Sequence, residues 1–429
     1  MTAEVLVLNK SALALAADSA VTIGEGDSGK VYNSVNKLFR LSKYHPIGVM
    51  IYANADYMGV PLETIIKMYQ EHLGNRREDT VDQYAQKFMT YLRGSQFSSA
   101  YQQRENVSRT FRIAFEVLAK DMRSCLRRES LEKGRLTRER HDQIITQVSM
   151  EHLERLEAAK RFRGFTRARE SEVLSRYRRE YKIVRPFLPP KAPTPSVEKT
   201  WQKIAALSIT RQQTQYPTYS GIVIAGFGES EIFPRYISIL DAGVASDTHR
   251  FTISDRDGID HKGNAAVVVP FAQHEMVKRF MDGVDPRYEQ FLHGAIDGAM
   301  KELAEGIIDV HVRGTKNNKE TIRKAVVKQI PDILREIRST AEKWRRDMFV
   351  SPVMTAVQNL PKEELASLAE ALVNLTSIKR RVSTERETVG GPIDVAVISK
   401  GDGFVWIKRK NYFDAAINPQ FLSHYMHSK

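Results

Sequence analysis

Met1-Thr2-Ala3-Glu4-Val5-Leu6-Val7-Leu8-Asn9-Lys10-Ser11-Ala12-Leu13-Ala14-Leu15-Ala16-Ala17-Asp18 reads as two apolar runs around a polar turn, Asn9-Lys10-Ser11. That pattern predicts a buried β-hairpin. Folding it about Lys10 sets Leu8 opposite Ala12, Leu6 opposite Ala14 and Thr2 opposite Asp18. Cross-strand neighbours have Cβ atoms ~5 Å apart, so a hydroxyl near the start of the chain is expected beside a carboxylate, within reach of a bridging cation. Lys37 is the candidate for that cation.

A threonine after an initiator methionine is small enough for Met1 to be trimmed, which would leave Thr2 with a free α-amine. An α-amine titrates near pH ~8 and can take the proton of its own hydroxyl, so one residue serves as nucleophile and base. Lys37 would lower the amine's pKa by like-charge repulsion and stabilise the alkoxide, while Asp18 would hold the lysine and offset its burial.

This arrangement resembles the proteasome β-subunit and its bacterial relatives in the N-terminal-nucleophile (Ntn) hydrolase superfamily. The resemblance rests on Thr2, on the Ala16-Ala17-Asp18-Ser19 run, on Lys37-Leu38-Phe39-Arg40-Leu41, and on Val389-Gly390-Gly391-Pro392-Ile393-Asp394-Val395-Ala396-Val397-Ile398 near the far end. It implies an α+β fold, a four-layer α/β/β/α sandwich of two antiparallel sheets between helical layers. It also implies a threonine-type hydrolase that cuts amide bonds of a peptide or protein through an acyl-enzyme on Thr2, without metal or cofactor. Ala53 or Asn54, in the turn after the strand at 47 to 53, would supply the oxyanion-stabilising amide. Self-association into a homo-oligomer is expected by the same resemblance. Two positions depart from the family pattern. Pro270-Phe271-Ala272-Gln273-His274 stands where a Gly-Ser-Gly is common, and Arg386, between Glu385 and Glu387, stands where a catalytic aspartate is usual.

The 429 residues leave room for a large core and more than one domain, and 42% hydrophobic content fits a globular protein with no apolar run long enough to cross a bilayer. The start lacks the ordered regions of a secretory signal. Cys125 is the only cysteine, which excludes an intrachain disulfide and points to a reducing cytoplasm. The formal charge of +13 is compatible with an acidic partner or nucleic acid.

Five segments are expected. The first part of the core covers 1–94, with helices from about Met58 to Leu73 and from Thr80 to Leu92. A basic helical insertion covers 95–205, ending in the proline-rich strap 186–195. The core resumes over 206–284, a second helical insertion covers 285–360, and 361–429 holds the last core helix, the closing strands and a tail. In the first insertion, Arg161, Arg163, Arg167, Arg169, Arg176, Arg178, Arg179 and Arg185 are interleaved with Tyr177 and Tyr181. Arginines with aromatics can hold phosphates and stack bases, whereas a partner-binding or assembly arm is the stronger reading. The rival to the enzyme is a catalytically inactive scaffold whose basic arms bind a protein or nucleic acid.

Other motifs read as structural. Gly24 to Lys30 lacks the Gly-Lys-Ser/Thr ending of a phosphate cradle. Asp255-Arg256-Asp257-Gly258-Ile259-Asp260 lacks the spacing of a calcium loop and is expected to be a turn between strands. His274 reads as a helix-start residue, with a catalytic role as the lesser alternative, and His424 and His427 lack further metal ligands.

Overall fold

The computed structural model describes residues 3–23, 30–212, 219–261, 263–311, 316–383, 389–411, 413–414 and 417–420. Thr2, Glu385, Arg386, Glu387, His424, His427 and most of the glycine-rich loop therefore lie outside the described residues. The architecture is α+β, with two antiparallel five-stranded sheets and extensive helix. The chain divides into two compact units, residues 1–35 with 258–397 and 405–429, and residues 36–257 with 398–404.

The sheet strands are β1 (Ala3–Asn9), β2 (Leu13–Ala17), β3 (Leu38–Arg40), β4 (Ile47–Ala53), β5 (Ser220–Gly226), β6 (Arg235–Ala245), β7 (Thr248–Gly258), β8 (Ala266–Ala272), β9 (Asp394–Ser399) and β10 (Gly403–Lys408). One sheet has the order β8-β1-β2-β9-β10 and the other β7-β6-β5-β4-β3. The helices are α1 (Leu62–Leu73), α2 (Val81–Leu92), α3 (Ala100–Lys133), α4 (Arg138–Ala158), α5 (Arg167–Arg176), α6 (Arg178–Val184), α7 (Pro195–Thr210), α8 (Glu275–Asp282), α9 (Pro286–His311), α10 (Lys316–Arg345), α11 (Ser351–Gln358) and α12 (Lys362–Arg381).

In the first unit the opening hairpin forms, but its register differs by one residue from the expected one. Leu8 pairs with Leu13, Leu6 with Leu15, Val7 with Ala14 and Val5 with Ala16. Two features select this pairing. The turn is a two-residue loop closed by the Asn9 amide donating to the Ala12 carbonyl at 3.0 Å, and Asn9 Oδ1 accepts from the amides of Ser11 at 2.9 Å and Ala12 at 3.3 Å. The register also sorts side chains by size. Val5, Val7, Ala14 and Ala16 share the face packed against Leu365, Ala366, Ala369, Leu372 and Val373 of α12, while Leu6, Leu8, Leu13 and Leu15 share the other face and are fully buried. A symmetric turn about Lys10 would have mixed the two sets. The same shift places Ala3, not Thr2, opposite Asp18, whose amide donates to the Ala3 carbonyl at 3.1 Å.

Asn9 is buried, and its side chain does more than cap the turn. Its Nδ2 donates to the carbonyls of Val357 at 3.0 Å and Leu360 at 2.9 Å, binding the hairpin to the end of α11. Pro270, expected just beyond a strand, lies inside β8 opposite Val5. An edge strand accepts a proline because one side of it needs no ladder donor. In the same unit α9 and α10 form a helical pair around Ala304, Ile330 and Leu334.

In the second unit α1 and α2 cover a face of the sheet. Ile65, Ile66, Tyr69, Tyr84 and Phe88 pack with Val49, Ile51, Ile222, Ile224, Ile237 and Ile239. Thr80 caps α2 by accepting from the Gln83 amide at 3.2 Å. Helices α3 to α7 build a core of their own, in which Phe111, Phe115, Leu118, Val148 and Ile204 surround Trp201. Its indole donates to Ser149 Oγ at 2.9 Å. The proline-rich strap is not extended throughout: Arg185–Phe187 is a 3-10 turn, and Pro195 opens α7. The Asp255 to Asp260 turn is corrected as well. β7 runs on through Asp255, Arg256 and Asp257, where the Tyr236 hydroxyl donates to Asp255 at 2.6 Å. Ser246 and Asp247, both with positive φ, make the β6–β7 turn.

Replacing Asn9 strands two buried carbonyls and two turn amides at once. Asn9→Ala is expected to lower stability by about 2 to 4 kcal/mol. In a urea titration followed by circular dichroism, Lys10→Ala at the exposed tip of the same turn should leave the midpoint unchanged.

Candidate functional site

Asp18 follows β2 and is buried. Its Oδ1 accepts from the Ala3 amide at 3.1 Å, and its Oδ2 accepts from the amides of Ala20 at 3.3 Å and Gly390 at 3.1 Å. One carboxylate thus gathers the start of β1, the end of β2 and the segment leading to β9. The neighbouring Ser19 continues the joint: its amide donates to the Gly390 carbonyl at 3.2 Å and its hydroxyl to the Pro392 carbonyl. The two motifs, 372 positions apart between Asp18 and Gly390, are therefore bonded together. The joint requires a glycine at 391, where φ is +75° and an added Cβ would lie 2.8 Å from Asn33 Cβ.

Lys37, Ala53 and Asn54 belong to the second unit, and His274 to the first. Lys37 is buried, and its carbonyl accepts from the Ile51 amide at 2.8 Å, which sets it at the start of β3 beside β4. A lysine is rarely buried unless its charge has a purpose or a partner. Ala53 ends β4, is exposed, and has φ of 63°, the left-handed region that alanine seldom enters. Asn54 fixes this turn through its side chain: Nδ2 donates to the Tyr219 carbonyl at 3.0 Å, and Oδ1 accepts from Arg109 at 3.2 Å. Arg109 also pairs with Asp56 at 3.2 Å, so α3 holds the turn from outside. With its side chain occupied in this way, Asn54 could contribute to an oxyanion site through its backbone only. His274 precedes α8, its Nδ1 lying 3.1 Å from the Pro270 carbonyl.

Sequence reading missed a buried polar group on β6 and β7. Asp241 Oδ2 lies 2.7 Å from His249 Nε2, and Asp241 Oδ1 accepts from the Gly243 amide at 2.7 Å. Tyr57 packs edge-on to His249, and its phenol is pushed up by burial and then by the Asp241 charge. Arg250, next in sequence, is completely buried. Asp241 is the one charged residue within the largely apolar run Ile237–Ala245 of β6, whereas β7 is polar over much of its length and gave no such signal for His249 and Arg250.

The arm's electrostatics turn inward. Glu170 accepts from Arg161 at 3.1 Å, Arg211 at 2.9 Å and Thr210 at 3.1 Å. Burial raises its carboxyl, but these three donors outweigh it and hold the group below its ordinary value. Arg185 grips Glu198 with Nη2 at 2.8 Å and lies over the Trp201 ring at 4.6 Å, and that guanidinium holds the Glu198 carboxyl low. Arg176 pairs with Asp247 at 2.8 Å, and Arg169 donates to Gly164 and Thr248. Tyr177 and Tyr181, the rings that the lesser, nucleic-acid reading needed for stacking, are buried, with hydroxyls bonded to the Ser246 amide and to Glu198. Arg163, Arg167, Arg178 and Arg179 face solvent without those rings. Among the described residues no three His, Cys, Asp or Glu side chains converge as a metal site, and no helix is long and apolar enough to cross a membrane.

No family model matches the chain, and no curated protein matches it. Among solved structures it is similar to Anbu (Gly-1) mutant from Hyphomicrobium sp. strain MC1, at 10% identity over 100% of this chain and 98% of that one, with a TM-score of 0.30. Similarity at that level carries no conclusion about fold or activity. The expected place among proteasome β-subunits and their bacterial relatives does not hold, because no family model recognises the motif residues and the structural match is this weak. Each of those motifs is short, and a buried hairpin and a Gly-Gly strand lead occur wherever antiparallel strands are joined tightly.

Two outcomes follow. Gly391→Ala should cost about 1 to 3 kcal/mol, read as a lowered urea midpoint, since it imposes left-handed strain together with the Asn33 clash. Glu170 and Glu198 have folded-state pKa values below the ordinary 4.5, so their stabilisation is complete above that value and is lost as pH falls through the lower folded values. Burial also pushes the His152 imidazole below its ordinary 6.5, so thermal melts should begin to fall below that pH and fall further below about pH 4.5, with Glu198→Gln showing the shallower fall in the second range only.

Proposed function

We propose that the chain is an amide hydrolase, acting on peptides, whose nucleophile is Thr2 once processing leaves it as the first residue. The reading is carried by the hydrogen bond from the Ala3 amide to Asp18 Oδ1 at 3.1 Å. That bond ties a buried carboxylate to the backbone amide of Ala3, the first described residue of β1. A reaction that uses a terminal amine as its base needs such a start, because a fraying terminus would carry nucleophile and base out of line.

In this reading the Thr2 amine takes the proton from its own hydroxyl, the oxygen attacks the scissile carbonyl, and an acyl-enzyme forms as the leaving amine departs protonated. Water activated by the same amine then releases the acid. Asp18 orients the start of β1, Lys37 is assigned the cation that keeps the amine neutral, and the backbone at Ala53 and Asn54 is assigned the oxyanion. The left-handed φ of Ala53 supports the last assignment, since strain in a non-glycine turn residue concentrates at functional positions. The four-layer stacking of the sheets, self-association, a protein partner for the helical arm and a cytoplasmic setting belong to the same proposal. The scaffold reading with nucleic acid is weaker, because Tyr177 and Tyr181 are buried.

The test is intact-mass analysis after treatment with a peptidyl β-lactone or epoxyketone. A single adduct mapped to Thr2, absent from Thr2→Ala and reduced by at least roughly a hundredfold in rate in Lys37→Ala, is the expected result. An adduct that persists in Thr2→Ala would refute the assignment.

A further inference from the structure

Helix α9 carries two apolar seams, and the chain uses one of them. Ile296, Met300 and Ala304 pack with Val326, Val327, Ile330 and Leu334 of α10. Leu292, Ala299, Leu303, Gly306 and Val310 follow the seven-, four- and three-residue steps of a helix–helix seam, yet all are exposed, Leu303 to 64% and Val310 to 75%. On α10, Ile322, Ile333, Ile337 and Trp344 repeat the pattern and are exposed as well, Trp344 to 59%. The two spare seams lie on the same side of the pair. Each runs one residue ahead of the packed seam, Leu303 before Ala304 and Ile333 before Leu334, and the helices are antiparallel, with Glu289 near the start of α9 paired to Arg345 at the end of α10. In antiparallel neighbours a displacement of the same sense falls on the same side.

A face of this extent is seldom left to water. At 1.5 Å per residue it is about 35 Å long, and at two helix widths about 20 Å across, so covering it hides on the order of 700 Å² per partner, close to what a specific dimer needs. Charge selects the occupant. Helix α9 has five acidic and two basic residues, and α10 has four acidic and nine basic. An anionic membrane would be repelled by α9, and like helices would repel each other, whereas α9 of one copy set against α10 of another meets opposite charge. We propose that this face binds the same face of a second copy of the chain, closing a two-fold four-helix bundle in which α9 lies antiparallel to the partner's α10. The inference gives self-association a surface that does not involve Thr2, so the hydrolase reading survives its failure.

Sedimentation velocity of the full chain from about 1 to 50 µM tests it. The wild type should shift from monomer to dimer. Leu303→Arg and Ile333→Glu, both at exposed positions, should each raise the dissociation constant by roughly a hundredfold or more while keeping the wild-type helical circular dichroism. Hydrogen exchange on the wild type gives an arm that needs no variant: backbone amides of 288–310 and 322–344 should gain protection as concentration rises. The proposal is overturned if the wild type stays monomeric, free or on vesicles of anionic lipid, if either folded variant associates as the wild type does, or if protection over these two helices does not change with concentration.

Discussion

A buried carboxylate that accepts from three backbone amides is the constraint on which the first unit depends. Asp18 draws the Ala3, Ala20 and Gly390 amides onto two oxygens, so strands from opposite ends of the chain meet at one joint. Charged acceptors make the strongest hydrogen bonds of this kind, and burial leaves them no competition from water. Ser19 and Gly391 serve the same joint, one by two further bonds to the 390–392 segment and the other by a left-handed backbone with no Cβ to meet Asn33. At the other end of the hairpin, Asn9 satisfies its side chain completely by holding the turn and the end of α11. With its ends fixed in this way, the β1–β2 pair can use residues as small as Ala14 and Ala16 and let α12 approach closely.

Much of this was legible in the sequence, and the failures have physical reasons. Alternation and apolar runs placed the opening hairpin, the strands after Lys37 and the α12 stripe of Leu365, Ala369 and Leu372, because burial on a fixed period leaves a clear trace. Register was not legible. It was decided by the Asn9 side chain accepting from its own turn and by the matching of leucine with leucine across the strands, neither of which a turn drawn symmetrically about Lys10 allows for. Strand ends were misjudged where polar residues or proline sat inside a ladder, as at Asp255 and Pro270, because exposed edges tolerate what central strands exclude. The roles of Asp18 and Gly391 were visible only as separate short motifs. Their direct connection through Gly390 was not.

The charged arm shows why composition alone misleads. Its arginines left phosphate binding open as the lesser reading beside a partner-binding arm, yet Arg161, Arg176, Arg185 and Arg211 are held by Glu170, Asp247 and Glu198, and the interleaved tyrosines are interior. A net positive charge spread over such internal networks says little about partners. By contrast the informative charges are the ones that composition hides, Asp18, Lys37 and Arg250, each buried in a setting where an unneeded charge would be expensive.

The central claim is that Thr2 becomes the first residue and that Asp18 holds the chain directly after it. Its most direct measurement is mass analysis of the tryptic peptides of the protein purified from its native cells. A peptide that begins at Thr2 and ends at Lys10, with a free amine, is the result this account requires. A peptide that still carries Met1, or a blocked Thr2, would contradict it and leave the buried carboxylate with a structural role alone.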